Sequence, residues 1–134
     1  MLTGKSIYCE KHQITLTSVV DGKLLNFMDT MDICSIFGNA LENAIESVMK
    51  IKEKEKRLIH LSVSKQREFL MISIENYYEE ELQYSEGELQ STKQEKSQHG
   101  FGIKSIQYIV NKYNGALNIN AENNWFSLKI LMPL

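Results

Sequence analysis

The chain has 134 residues, of which 43% are hydrophobic and 24% are charged, and its net charge is -2. This length is typical of one domain, and a core of that size buries roughly two-thirds of the unfolded surface. The slightly acidic balance argues against a broad surface for the nucleic-acid backbone. No apolar run approaches the roughly 20 residues that span a bilayer, so we expect a soluble globular domain without membrane contact.

The first half of the chain predicts a strand, a turn and one long helix. Residues 1–12 are mixed in character and are interpreted as the remnant of an upstream segment, with the domain itself at 13–134. QITLTSVV predicts a strand, and LLNF, after a DGK turn, a second short extended piece. From Asp29 to about Ile51 apolar residues recur at three- and four-residue steps, which indicates a helix that Asp29 or Thr30 can cap.

The second half predicts two hairpins separated by a long polar segment and a helix. LIHLSVSK and FLMISIEN form the first predicted hairpin, and ALNINAE and WFSLKILMPL the second, around an Asn-Asn turn. Residues 77–99 lack periodicity and are expected to be a functional cover or a disordered loop. GFGIKSIQYIVNKYNG predicts a helix that starts at the glycines and stops at Asn114–Gly115. The expected fold is a two-layer α/β sandwich with a mixed, largely antiparallel sheet covered by helices on one face.

Two cysteines, Cys9 and Cys34, have neither CxxC spacing nor a histidine cluster nearby. Reduced thiols are therefore expected rather than a disulfide or a zinc site.

The long predicted helix carries polar residues in an unusual place. At about 100° per residue, Asn39, Asn43 and Glu46 lie within roughly 60° of each other at the edge of the apolar arc, with Glu42 further towards solvent. An ordinary amphipathic helix with Asn at its boundary explains this pattern. However, Asn is a mediocre helix former, and its amide oxygen is a hard, neutral ligand that suits Mg²⁺ beside a polyphosphate.

The second notable feature is GFG at 100–102, directly before a predicted helix. Glycines at a helix start let phosphate oxygens approach backbone N–H groups, although a plain turn also explains a lone GxG. The preceding polar loop ends in residues able to contact phosphate, namely Ser91, Thr92, Lys93, Lys96 and His99.

Together these features resemble the catalytic ATP-binding domain of sensor histidine kinases, which has the Bergerat fold of the GHKL superfamily. ICSIFGNALENAIES resembles the N box of that family, and HGFGIKSIQYIVNKYNG resembles its second glycine box. The resemblance covers residues 13–133 and is greatest to the kinases of peptide quorum-sensing systems. It implies that residues 77–99 form the ATP lid.

The resemblance also implies which residues bind ATP and Mg²⁺. Asn43 would coordinate Mg²⁺ and Asn39 would support the phosphates, and these two would be the catalytic residues. Asn76 stands where the family has an Asp that hydrogen-bonds the adenine amino group, and no glycine follows it, so weak ATP binding is expected. The other implied nucleotide contacts are Glu46, Thr92, Lys93, His99, Gly100 and Gly102. Since Asn39 replaces the water-activating Glu of hydrolytic relatives, the domain is expected to transfer a phosphoryl group rather than hydrolyse ATP.

Partners follow from the same resemblance. The acceptor histidine would lie on a dimerisation domain absent from this chain, and a response regulator would act downstream. His12 and His60 are expected to be structural or surface residues. The isolated domain would then be inactive in autophosphorylation, and its parent would sit in a membrane with this domain in the cytoplasm.

Two other functions are compatible with the sequence. Asn76 in place of the adenine-binding Asp, with no glycine after it, favours a nucleotide-sensing or docking module that has lost catalysis. A stand-alone kinase resembling the anti-sigma-factor kinases would require Met1 to be the native start.

Overall fold

The computed structural model describes residues 2–79, 84–85, 88–89 and 92–134, with side chains at 3–79 and 102–134, and this part of the chain contains three α-helices and seven strands. The helices are α1 (Leu2–Lys11), α2 (Thr30–Met49) and α3 (Thr92–Lys112). The strands are β1 (Thr15–Val20), β2 (Leu58–Gln66), β3 (Phe69–Tyr77), β4 (Tyr84–Ser85), β5 (Glu88–Leu89), β6 (Ala116–Glu122) and β7 (Trp125–Pro133). Short 3-10 turns occupy Gly22–Leu25 and Lys54–Lys56.

Five of these strands form one mixed sheet in the order β1-β2-β3-β7-β6. β1 runs parallel to β2, and the other neighbours are antiparallel. The short strands β4 and β5 pair only with each other. The prediction of an α/β fold with a mixed, largely antiparallel sheet is therefore confirmed, as are both predicted hairpins.

One face of the sheet forms the core with the helices. Leu70, Ile72 and Ile74 alternate along β3 and are buried, and the register places the two isoleucines between buried aliphatic residues of β2 and β7. α2 covers β2 and β3, and its buried residues are Ile36, Phe37, Ala40, Leu41, Ala44, Ile45 and Val48. Each large aliphatic side chain that is removed from water here contributes roughly 1.5–3 kcal/mol.

Three asparagines have left-handed backbone conformations where the sequence predicts turns, whereas Gln13, predicted to begin a strand, also has a positive φ and precedes β1. Asn123 and Asn124 have φ of 55° and 65°, the geometry of a two-residue hairpin turn between β6 and β7. Asn114, at φ 60°, follows the last turn of α3 as predicted. Gly115 then passes so close to β7 that an added Cβ would lie 2.5 Å from the carbonyl oxygen of Leu131.

The prediction that LLNF is extended is wrong, because Leu24 and Leu25 end a 3-10 turn that starts at Gly22. Both leucines pack against the core. Successive residues of a strand point to opposite faces, so the turn allows both neighbours to face the core where a strand would not.

Residues 2–11, expected to be a remnant of an upstream segment, form α1 and pack against β1. Cys9 is only 1% exposed and belongs to the core, whereas Ile7 is 50% exposed. The apolar residues of α1 are adjacent in sequence rather than spaced by three or four, and for that reason periodicity did not predict this helix.

Candidate functional site

Asn39 lies where α2 meets α3. Its side-chain amide nitrogen donates to the carbonyl oxygen of Ser35 at 2.8 Å and to the Ser35 hydroxyl at 3.3 Å. Its amide oxygen faces Gly102, since a Cβ built on that glycine would lie 3.3 Å from Asn39 Oδ1. The structure thus brings together one residue of the predicted N box and one residue of the predicted second glycine box.

Asn43, one turn further along α2, is half-buried, and its side chain makes no hydrogen bond within the described residues. Its amide oxygen is a hard, neutral ligand of the kind that Mg²⁺ binds. The described residues contain no group of three His, Cys, Asp or Glu side chains that could hold a metal. One neutral amide fits Mg²⁺ that is otherwise held by phosphate oxygens and water, since Mg²⁺ keeps several such ligands.

Asn76 continues the buried alternation of β3, on the face that α2 covers, and is 2% exposed. Its amide nitrogen donates to the carbonyl oxygen of Tyr77 at 3.2 Å, which is a long bond. A polar side chain in a row of isoleucines costs free energy unless it is hydrogen-bonded. An amide at this position can offer both a donor and an acceptor to a ligand beneath the helices.

The prediction that the glycines start a helix is wrong, because α3 begins at Thr92 and Gly100 and Gly102 lie inside it. The segment TKQEKSQ is rich in good helix formers but has no apolar stripe, so propensity rather than periodicity extends the helix. Inside a helix the backbone N–H groups point to carbonyls four residues earlier. A helix start at the glycines, as an anion site would need, is absent from this conformation.

Several predicted contacts fall largely outside the described residues. Thr92, Lys93, His99 and Gly100 have a described helical backbone, but the side chains of the first three lie outside the described part, as do those of the predicted lid from residue 80 to residue 99.

The predicted site residue Glu46 lines a cleft of about 510 Å³ between α1 and α2, together with Glu42, Ile45, Gly4, Lys5 and Tyr8. Glu42 and Lys5 form an ion pair across it at 3.9 Å. Glu42, predicted to be solvated, is 67% exposed at its side chain. The lining of this cleft includes neither Asn39 nor Asn43.

A polar cluster at the far end of the α2–α3 contact was missed by sequence reasoning. Asp32 accepts hydrogen bonds from the Tyr113 hydroxyl at 2.6 Å and from Lys112 Nζ at 2.8 Å. These bonds, that from Lys112 foremost, lower the pKa of Asp32, and they raise the pKa values of Lys112 and Tyr113. Asp29 occupies the N-cap position of α2 as predicted, but its side chain makes no capping bond, and its backbone N–H donates to the Tyr113 hydroxyl.

Sequence reasoning also missed Ser35, although its spacing from Asn39 could have indicated a contact between them. It lies four residues before Asn39, the spacing at which helical side chains meet. The Asp32–Tyr113 contact had no comparable signal, because the two residues are far apart in sequence and only the packing of α2 on α3 joins them.

No helix in the described residues is long and apolar enough to cross a membrane.

Comparison with known proteins places this geometry in a family. The model of the GHKL domain family matches residues 28–133. No curated protein matches the sequence.

Solved structures of histidine kinases share the fold. The nucleotide-free catalytic domain of histidine kinase ThkA superposes with a TM-score of 0.69 at 17% identity, covering 98% of this chain and 86% of that one. Histidine kinase AdeS of Acinetobacter baumannii gives 0.61 at 14% identity, over 98% of this chain and 62% of that one. The histidine kinase domain of the blue-light activated kinase EL346 from Erythrobacter litoralis gives 0.56 at 16%, over 97% and 57%. The chain is therefore a member of the GHKL family, with the fold of histidine kinase catalytic domains.

Proposed function

We propose that this domain binds Mg·ATP and transfers the γ-phosphoryl group to a histidine on a separate dimerisation domain. The observation that carries the proposal is the contact between Asn39 and Gly102, because it joins the two motifs that would hold the phosphates. The match to the GHKL family supports ATP as the ligand.

Each asparagine has a distinct proposed role. Asn43, whose amide has no hydrogen bond in the described residues, would hold Mg²⁺, which when bound neutralises phosphate charge. Asn39 would support the phosphates, and Asn76 would meet the adenine amino group with its amide oxygen. Lid residues Thr92, Lys93 and His99 would add phosphate contacts.

The chemistry of Asn39 favours transfer over hydrolysis. An amide has no proton-accepting site of useful basicity, and its nitrogen is already engaged with Ser35. The side chain therefore cannot activate water as a general base. Phosphoryl transfer needs mainly positioning and charge neutralisation, which amides and backbone groups can supply.

Calorimetric titration of Mg·ATP into the chain and into Asn43→Ala tests the ligand assignment. We expect binding by the unsubstituted chain and a loss of at least about tenfold in Asn43→Ala, which corresponds to about 1.4 kcal/mol of binding free energy. Asn118→Ala, on exposed β6, is the matched control and should bind normally. Equal binding by all three would refute the role of Asn43.

Phosphoryl transfer needs its own experiment. The domain is mixed with a helical hairpin that carries an acceptor histidine, with labelled ATP, and acid-labile, base-stable label on the hairpin is measured. Label on the hairpin supports the kinase, and its absence with intact ATP binding supports the nucleotide-sensing or docking module described below.

We further propose a peptide quorum-sensing kinase as the parent, with this domain in the cytoplasm and a response regulator downstream.

The second candidate is a nucleotide-sensing or docking module. The buried amide of Asn76 favours it, because an amide replaces the charged acceptor of the family at the adenine end. A module of this kind would bind nucleotide without labelling any hairpin.

A further inference from the structure

The contact between Gly102 and Asn39 explains why residue 102 has no side chain. A Cβ at this position would lie 3.3 Å from Oδ1, 3.6 Å from Cβ and 3.7 Å from Cγ of Asn39. The shortest of these distances is tighter than ordinary van der Waals contact, so either the amide or α3 would have to move. Gly38, also within a helix, differs sharply, because an added Cβ there would meet nothing within 4 Å.

Ser35 prevents the Asn39 amide from yielding easily. The carbonyl oxygen and the hydroxyl of Ser35 both accept from the Asn39 amide nitrogen. With the nitrogen held against its own helix, the amide oxygen is directed at α3. Rotation away from Gly102 would break or lengthen two hydrogen bonds, each of which contributes to stability.

We propose that residue 102 is glycine because α3 rests directly on the Asn39 side chain, and that Ser35 is the positioning residue that fixes this side chain. The distance between α2 and α3 at the candidate site is then set by one amide group. This packing contact does not require a nucleotide, so the proposal does not depend on the proposed function.

Thermal unfolding without nucleotide tests the packing. Gly38→Ala should raise Tm by about 2–4 °C, the usual gain for Ala over Gly inside a helix. Gly102→Ala should give no such gain and should lower Tm, because the added methyl meets Asn39. In an Asn39→Ala background the same Gly102→Ala change should raise Tm as Gly38→Ala does, since only ordinary contact with the Cβ of residue 39 remains.

Two-dimensional NMR of the Asn39 side-chain amide tests the role of Ser35. Ser35→Ala removes the hydroxyl acceptor at 3.3 Å and keeps the carbonyl acceptor at 2.8 Å, so it should shift or broaden the Asn39 side-chain NH₂ signals, and Ser35→Thr, which keeps a hydroxyl, should restore them. Gly38→Ala should leave them in place. A general loss of packing would not be rescued by the hydroxyl alone.

The inference is overturned if Gly102→Ala raises Tm as much as Gly38→Ala does, or if Ser35→Ala leaves the Asn39 signals unchanged. It is supported if the gain from Gly102→Ala appears only in the Asn39→Ala background. If no variant, nor the unsubstituted chain, binds Mg·ATP, the proposed function fails while the Tm and NMR results still decide the inference.

Discussion

The Tyr113 hydroxyl donates a hydrogen bond of 2.6 Å to Asp32, and this bond ties the residue that directly follows α3 to the first turn of α2. The same hydroxyl accepts from the backbone N–H of Asp29 at 3.0 Å, and the Tyr113 ring meets the edge of Phe27. One side chain thus joins the carboxylate, the backbone and an aromatic ring at the start of α2. The two helices that carry the candidate site are held together at this end.

Replacing Tyr113 by Phe should lower the free energy of unfolding by about 0.5–1.5 kcal/mol, because it removes both hydroxyl bonds and keeps the ring. Urea denaturation at neutral pH measures the change. Tyr108→Phe is the matched control, since Tyr108 is 75% exposed on the nearby end of α3, and it should have little effect. Equal stability of Tyr113→Phe and the unsubstituted chain would contradict the prediction.

The Asp32 cluster should also make stability depend on pH. Because the folded-state pKa of Asp32 is lowered, its contribution is complete above the ordinary Asp pKa of about 3.9 and is lost as pH falls through the lowered value. The difference in unfolding free energy between the unsubstituted chain and Asp32→Asn should therefore shrink in strong acid. Urea titrations from about pH 2 to about pH 7 check this. A difference independent of pH would show that the charge of Asp32 is unimportant.

The Arg57 side chain joins the segment after α2 to the segment after α1, and its removal should lower the stability of the fold. Its Nε donates to the carbonyl oxygen of Ile51 at 2.9 Å, and its Nη1 donates to that of His12 at 2.8 Å. Arg57→Ala should lower the free energy of unfolding by about 1.5–3 kcal/mol, the usual range for hydrogen bonds from a charged donor. Arg57→Lys should recover little, because one ammonium group cannot reproduce the planar fork that reaches both carbonyls. Denaturant unfolding measures both variants, and full recovery in Arg57→Lys would contradict this reasoning.

Exposed Lys52 provides the control for Arg57, since Lys52→Ala removes a nearby positive charge and no described contact.

Asn76→Asp should separate nucleotide affinity from stability. A carboxylate is an acceptor only, so it can receive the adenine amino group but cannot donate to the Tyr77 carbonyl as the amide does. We expect tighter Mg·ATP binding, little change for Mg·GTP, and a nucleotide-free domain destabilised by about 1–3 kcal/mol. Calorimetry with both nucleotides and denaturant unfolding measure these effects. Equal gains for ATP and GTP would place Asn76 away from the base.

The two cysteines should react at very different rates. Cys9 is buried, and burial raises the pKa of its thiol, whereas Cys34 is exposed on α2. A colourimetric thiol reagent should therefore titrate one thiol in the folded protein and both in denaturant. Cys34→Ser should abolish the fast phase, and a fast phase that survives in this variant would contradict the assignment.

Much of the fold follows from periodicity in the sequence. α2, both antiparallel hairpins and the end of α3 were predicted because apolar residues repeat at the spacing of the element and Asn or Gly marks the turn. α1 and the first turns of α3 were not predicted, since the sequence of neither segment has an apolar stripe. The 3-10 turn at Leu24 and Leu25 is likewise fixed by the core that both residues reach.

For the candidate site, sequence reasoning identified the polar flank of α2 but not its arrangement. Asn39 and Asn43 were predicted from their spacing, and both lie half-buried on α2. That Gly102 contacts Asn39 depends on how α3 packs against α2, and no local pattern encodes this packing. The roles of Asn39, Asn43 and Asn76 in binding remain predictions.

The parallel pairing of β1 with β2 has a consequence for the order of folding. The antiparallel pairs β2–β3 and β6–β7 are joined by two-residue turns, so each closes a short loop, whereas Thr15 meets Leu58 only after the whole of α2 has been traversed. Closing the longer loop costs more chain entropy before its contacts form. β1, bonded in this sheet to β2 alone, is thus expected to join late in folding, and its amide protons should exchange with solvent sooner than those of central β3.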